Sequence, residues 1–456
     1  MLFILLENPN RIRYIALPAL DFYPDDSQKS GYPKTFLDAG KACLMMRPFL
    51  LYGMIGLFLL ACNRTPLPQG DLAKLQSQIL LAENTEAQQK LAQQWWKEYR
   101  RRGLPFVHDS TALFLYKGTA KRLQLAGDMT SWQPGPEFQR LGETDLFALE
   151  QQYPDSARLD YKFVVDSTWT LDPANPHQML SGFGPNSELR MPRYQPLAHL
   201  DGQPLQPTGK IETFTMHSRA LNNQRPIRVY LPPGYAESQV AYPTLYVNDG
   251  LDYLEFAQLQ RTLDYLIYNH DIRPLVAVCV PPIKEQRRTE YGNNPRFAKF
   301  ICAELLPRLQ RRYRVIDDPD HRAILGASFG GLISFYIALQ NPEVFRRAAG
   351  QSSYFGFNDG EIFSLLQKSD AAIYKFYISC GAYETNVNNS GSFIDMHYRM
   401  REALRMGRAR FGYHEVAAGH SWGFWRDDLP RLLKYLFPAE KVAEGKSPTL
   451  NLQFKI

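Results

Sequence analysis

The residues with the clearest chemical potential are Ser328, His420 and a carboxylate that lies between them in the chain. Gly326-Ala327-Ser328-Phe329-Gly330-Gly331 follows a strand-like Arg322-Ala323-Ile324-Leu325 and precedes an apolar helical run. In that context G-x-S-x-G puts a serine on a strained strand-to-helix turn, and its small neighbours let the backbone pass close to adjoining elements. The helix that follows aims its N-terminus at the site and favours negative charge developing there. A serine hydroxyl is a poor nucleophile until an imidazole takes its proton. In the order Ser, acid, His, that imidazole belongs on a loop after the last strand. Residues 412–417 read as this strand, and Ala418-Gly419-His420-Ser421-Trp422 follows it. His414, within the strand, and His397, on the preceding helix, are less well placed. The bland reading of His420 is a satisfied loop histidine.

The acid must orient the imidazole and stabilise its charged form. It is expected after the strand 375–379, in Cys380-Gly381-Ala382-Tyr383-Glu384, which selects Glu384; Asp395, on the next helix, is the reserve. An oxyanion needs two donors. One is the backbone N–H of Phe329, after the nucleophile. The other is expected from Asn248-Asp249-Gly250-Leu251, where Gly250 permits the turn and the Leu251 N–H donates.

Positioning these groups requires alternating strands and helices. Strands are predicted at 212–216, 227–231, 244–247, 275–280, 322–326, 346–349, 375–379 and 412–417. Helices fall near 253–268, 295–313, 329–341, 390–406 and 422–436. This is an α/β pattern with a mostly parallel sheet, preceded by an antiparallel pair. Upstream, 71–101 has helical periodicity ended by Gly103-Leu104-Pro105. Short aromatic and β-branched runs then give a β-sandwich over 109–192, followed by a Pro-rich linker at 193–208 and the α/β domain at 209–438.

Composition excludes little beyond the extremes. The 456 residues are 45% hydrophobic and 21% charged, so at least one large core is available, and the +6 net charge comes from scattered Lys and Arg. Runs such as Arg100-Arg101-Arg102 read as solvated helix faces, and no nucleic-acid partner is expected. Met45-Met46-Arg47 opens an apolar run that stops at Ala61-Cys62, too short to span a membrane comfortably and built like a secretory signal. Leu59-Leu60-Ala61-Cys62 resembles the lipobox of bacterial lipoproteins, which implies lipidation of Cys62, a tether from residue 63 that leads into the helical stretch ending near 108, and a membrane-anchored protein of the cell envelope. A signal should begin a chain, yet residues 1–44 precede this one; the simplest explanation is a translation start at Met45 or Met46, which makes 1–44 a doubtful extension, and 439–456 form a tail. Cys279, Cys302 and Cys380 lie in apolar patterns and read as buried thiols. No zinc-type spacing occurs, and the chemistry above needs neither metal nor organic cofactor.

From 209 to 437 the chain resembles the esterase D-like family, which includes enterochelin esterases and feruloyl esterases. The resemblance rests on Arg228-Val229-Tyr230-Leu231-Pro232-Pro233-Gly234-Tyr235, Leu245-Tyr246-Val247-Asn248-Asp249-Gly250, Gly326–Gly331 and Gly419-His420. It implies an α/β-hydrolase fold without a large lid, and cleavage of carboxylic esters. The family's acid is commonly Asp, so Glu384 departs from its pattern. Arg287-Arg288-Thr289-Glu290-Tyr291 with Asn294 looks like the enterochelin-esterase branch, and Arg288, Glu290 and Trp422 are candidate substrate contacts; the alternative for Arg288 and Glu290 is a salt-bridged brace. The sandwich resembles an immunoglobulin-like early-set domain of the glycogen-binding type, through Leu125-Ala126-Gly127-Asp128-Met129-Thr130-Ser131-Trp132 and Tyr161-Lys162-Phe163-Val164-Val165-Asp166. In sugar-binding members the contacts fall at the positions of Trp132, Lys162, Trp169 and Asn186. The same motif also occurs in domains that only pack against a catalytic partner, and that structural or substrate-shaping role is favoured.

These readings converge on a membrane-anchored serine esterase with either a siderophore-type trilactone or a feruloyl or acetyl polysaccharide ester as substrate. Two rivals stay open: acyl transfer on the same fold, and a glycan-binding lipoprotein whose hydrolase domain is a scaffold.

Overall fold

The computed structural model describes residues 70–439, so Cys62, the apolar run before it, and most of the C-terminal tail lie outside the described residues. An eight-stranded sheet carries the α/β domain. Its order is Lys210–Ser218, Asn223–Leu231, Val276–Val280, Thr244–Asn248, Arg322–Ala327, Arg347–Gln351, Lys375–Gly381, Arg410–Val416. The first two pairings are antiparallel and all later ones parallel.

Burial on both faces explains the composition of the central strands. Val276-Ala277-Val278-Cys279-Val280 is buried throughout, as a strand covered by helices on both sides must be. Alternate residues feed two different cores: Ile324 joins Phe335 and Phe376 on one face, while Ala323 and Leu325 join Leu429 and Leu432 on the other. This is the α/β-hydrolase fold.

Several predicted helices are broken where local chemistry demands it. The 253–268 helix is two, Gly250–Glu255 and Leu259–Tyr268, with Gln258 at φ 49° between them. The 71–101 helix divides into Asp71–Leu80 and Thr85–Arg102, the second capped by the Asn84 side chain accepting from the Ala87 N–H. The 295–313 helix contains a π-helical stretch, Phe300–Leu305, just before Pro307, which has no N–H to give. A helix at Glu361–Lys368 was not anticipated; it forms the crossover between two parallel strands.

Ahead of this domain lies a β-rich region of two sheets. One orders Phe106–His108, Thr111–Lys117, Leu146–Gln152, Gln139–Arg140; the other contains Leu123–Gly127, Arg158–Val165, Asn186–Arg190 and Gln178–Met179, with Thr168–Thr170 paired to Arg158–Val165. Phe114, Leu125, Leu159 and Phe163 share the core between the sheets. The intervening Leu113 and Leu115 turn the other way, under the two N-terminal helices.

The β-rich region meets the α/β domain through buried charge. Arg158, 3% exposed, pairs with Asp160 at 2.7 Å and Glu188 at 3.0 Å, and Glu188 also takes two hydrogen bonds from Arg190. Burial alone would raise the Glu188 carboxyl, but Arg158, Arg190 and Arg426 outweigh it and hold it at about 2. A depressed carboxylate contributes stability above its unfolded pKa and loses it as pH falls through the folded one. Glu188→Gln should therefore cost about 3 kcal/mol at neutral pH. Urea melts of both proteins should show that gap narrowing below pH ~4 and closing near pH ~2; a pH-independent gap would contradict this.

Candidate active site

Ser328 occupies the turn between Arg322–Ala327 and the helix Phe329–Gln340, at φ 58°, ψ −122°. A non-glycine residue holds such a conformation only when its surroundings over-determine it. Here the Ser328 N–H donates to the Gln351 carbonyl at 2.9 Å, and the Ser328 carbonyl accepts from Leu332 and Tyr354. The glycine before the turn is required by close approach, since a Cβ on Gly326 would overlap the Gly330 backbone.

His420 stands on the loop after Arg410–Val416, and its Nδ1 lies 2.7 Å from Glu384 Oε2. Glu384 is 1% exposed. Its Oε1 accepts from the Ser352 hydroxyl at 2.6 Å and the Gly381 N–H at 2.7 Å. Burial would raise this carboxyl, but His420, then Ser352 and Gly381, hold it below the ordinary carboxylate range. Asp395, the reserve acid, is exposed at the start of the helix Phe393–Met406, and its N–H is capped by the Ser392 hydroxyl. The other two histidines are committed elsewhere: His397 Nε2 accepts from the Ser353 N–H, and His414 Nδ1 pairs with Asp428 at 2.8 Å. Among the described residues no hydrogen bond joins the Ser328 hydroxyl to His420, a contact that commonly tightens only with substrate in place.

The second expected donor group lies on the helix Gly250–Glu255, capped by Asp249 at φ 54°. Tyr253 N–H closes the first turn onto the Asp249 carbonyl, so the N–H groups of Gly250 and Leu251 precede the helical ladder and join Phe329 as helix-terminal donors. Asp249 also receives a two-pronged grip from Arg287, at 2.7 and 2.8 Å, and Arg287 reaches on to the Ala327 carbonyl beside the serine. In the sequence Arg287 stands in the Arg287–Tyr291 motif with no signal of this role, because its partner Asp249 lies 38 residues away.

Those neighbours separate. Glu290 is buried and consumed by Arg225, at 2.6 and 2.9 Å, with Asn223 and the Ile283 N–H completing its shell. Of the two roles expected for Glu290, substrate contact and salt-bridged brace, its burial and its pairing with Arg225 fit the brace. Arg288 is exposed and lies 5.9 Å from the Phe329 ring. From there an aromatic wall runs Phe329, Tyr354, Phe393, His420, each ring 5.0–5.2 Å from the next. Trp422 packs edge-on against Tyr253 and Trp425, between the His420 loop and the Gly250 helix.

Sequence reading missed Ser352 and Trp425. Ser352, at φ 47°, follows an ordinary strand, and only the fold shows that its hydroxyl links Glu384 to the Trp425 indole N–H at 2.8 Å. In the β-rich region Trp132 and Trp169 stack at 6.4 Å, and Trp169 is 44% exposed. Trp132 donates to Asp128 and Asn186 to Asp160, while Lys162 sits opposite Ala126 on the strand that carries Asp160.

Residues 218–436 match the family model described as Putative esterase. This segment belongs to that esterase family. Membership supports ester hydrolysis as the domain's general chemistry. Among curated proteins, the iron(III) enterobactin esterase of Dickeya dadantii is 25% identical over 48% of this chain and 53% of its own length. The endo-1,4-beta-xylanase/feruloyl esterase of Xylanibacter ruminicola is 25% identical over 50% of this chain, which spans 31% of that protein. Among solved structures, the enterobactin esterase of Shigella flexneri superposes with a TM-score of 0.64 at 21% identity, covering 75% of this chain and 97% of that one. The ferric enterobactin esterase of Salmonella typhimurium gives 0.65 at 19% identity over 75% and 98%. Since three quarters of the chain exceeds the 218–436 segment, the likeness of fold extends into the β-rich region.

Ser352→Ala should leave the Trp425 N–H without its acceptor and cost about 2 kcal/mol of stability. It should also raise the Glu384 carboxyl, read by carbon NMR titration. An unchanged Glu384 titration would show that the hydroxyl does not matter to it.

Proposed function

We propose that this protein is a serine esterase in which Ser328 attacks the ester carbonyl and His420 takes its proton. The observation that carries the reading is the 2.7 Å bond from His420 Nδ1 to the buried Glu384, on the loop after the last strand, where a base would stand in this order of residues. Glu384 fixes the imidazole with Nε2 free for the serine. The Phe329 N–H and the N–H groups of Gly250 or Leu251 receive the oxyanion, each donor worth about 3 kcal/mol in the transition state. His420 then protonates the leaving alcohol, an acyl group remains on Ser328, and water activated by the same imidazole releases the acid.

The aromatic wall supports an ester that bears an aryl group, and the exposed Arg288 at its end supports an anionic one. A trilactone bearing ionised catecholate groups satisfies both features; a feruloyl ester satisfies the first. The enterobactin esterase relatives point the same way. Trp132 and Trp169 would extend the apolar surface toward a larger substrate. With the lipobox at Cys62, the enzyme would work from a membrane anchor in the cell envelope.

The test is hydrolysis of p-nitrophenyl acetate, methyl ferulate and a catecholate trilactone by wild-type, Ser328→Ala and Arg288→Ala proteins. Ser328→Ala should lose at least a thousandfold in kcat, on the order of a triad deletion. Arg288→Ala should raise KM for the trilactone about tenfold while sparing the acetate. Turnover surviving in Ser328→Ala would refute the mechanism. Transfer to an added alcohol in preference to water would replace hydrolysis by acyl transfer.

A further inference from the structure

His420 sits in a loop that the α/β domain only partly holds. Three of the residues around it, Ala417, Gly419 and Ser421, touch the β-rich region instead. The Arg158 N–H donates to the Ala417 carbonyl at 3.0 Å. The Arg158 guanidinium donates to the Ser421 hydroxyl at 3.1 Å. The Asp128 carboxyl lies so close to Gly419 that a Cβ there would overlap it, and a Cβ on Gly423 would overlap the Arg158 guanidinium.

The loop that carries Glu384 leans on the same surface. Tyr383 and Ala417 pack against the core between the two β-rich sheets, and the Tyr383 N–H donates to the Ala418 carbonyl at 3.1 Å. The contacting side chains are fixed in their turn. Asp128 accepts from the Trp132 indole at 3.0 Å and the Asp160 N–H at 2.8 Å, and Arg158 is clamped between Asp160 and Glu188. Burial, then Asp160, pushes the Asp128 carboxyl up, which reduces the charge it presents to the loop.

The geometry points to Asp128 and Arg158 as positioning residues for the general base: the β-rich region forms one wall of the mould in which the His420 loop is set. The inference rests on the reading of His420 as base. It makes the β-rich region a working part of the catalytic unit, whatever else its Trp132–Trp169 surface binds. Gly419 is then demanded by close approach, since its backbone is not in the left-handed region and the atoms nearest a Cβ placed there all belong to the Asp128 side chain.

The test is a steric compensation cycle in the full chain, with Gly419→Ala, Asp128→Gly and the double variant. Two readouts are taken: kcat and KM for p-nitrophenyl acetate, and the downfield NMR signal of the His420 Nδ1 proton bonded to Glu384. Gly419→Ala should lower kcat about a hundredfold with KM little changed, and should shift or broaden the proton signal. Removing the Asp128 side chain in the same protein should restore at least tenfold in kcat and return the signal. A double variant no better than Gly419→Ala, or a Gly419→Ala enzyme within threefold of wild type, would overturn the proposal. If Asp128→Gly does not fold, Ser421→Ala decides: it removes the acceptor that Arg158 finds on the His420 loop side chain and leaves the ion cluster with Asp160 and Glu188 intact. A kcat lowered about fivefold with an altered pH profile supports the dock; an unchanged kcat and profile refutes it. Turnover persisting in Ser328→Ala would sink the assignment of the site, and the proton signal would still report on the dock.

Discussion

A carboxylate removed from water must be compensated in full or it will take up a proton, and Glu384 is almost wholly buried. Its two oxygens meet three donors: the His420 ring, the Ser352 hydroxyl and the Gly381 N–H. Each donor is placed by a different part of the sheet's C-terminal edge. Gly381 ends one strand, Ser352 leaves its neighbour with positive φ, and His420 follows the edge strand. Much of the architecture between residues 347 and 425 can be understood as the means of holding these three in register around one negative charge.

The serine side is built on a different principle, close backbone approach. Ser328 is held at an unfavourable φ/ψ by hydrogen bonds to the next strand, while Asp249 and Arg287 form a rigid pair beneath the turn. Both halves meet at aromatic rings, with Phe329 on one side and Phe393 and Trp425 against His420. The β-rich region adds its own buried charges behind the His420 loop. Arg158 reaches the Ser421 hydroxyl and Arg426 lies beside Glu188, so buried polar contacts join the two parts of the chain.

What could be read from the sequence was what is local. Gly326–Gly331 announces its strand, turn and helix, and Gly419-His420 follows the last predicted strand, because both rest on neighbours in the chain. Choosing Glu384 over Asp395 needed only the distance from a strand end, and the geometry places Glu384 on the ring. Partners distant in sequence were illegible. For Glu290 the sequence leaves substrate contact and a salt-bridged brace both open, because the Arg225 that neutralises it lies 65 residues away. Ser352 and Asp128 carry no motif for their contacts, which arise only when strands far apart in the chain are brought together. The helix break at Gln258 and the π-helical turn within 300–305 escape for a related reason: apolar periodicity continues through them while the backbone hydrogen-bonding pattern changes.

The most direct test of the account is to catch the covalent intermediate. The protein is mixed with p-nitrophenyl acetate, quenched in acid within milliseconds, digested and mapped by mass spectrometry. The account predicts one acetyl group per chain on Ser328, appearing in a burst with p-nitrophenol and decaying as turnover proceeds. An acetyl group on another residue, or turnover under conditions where the release step is slow with Ser328 never acylated, would contradict it.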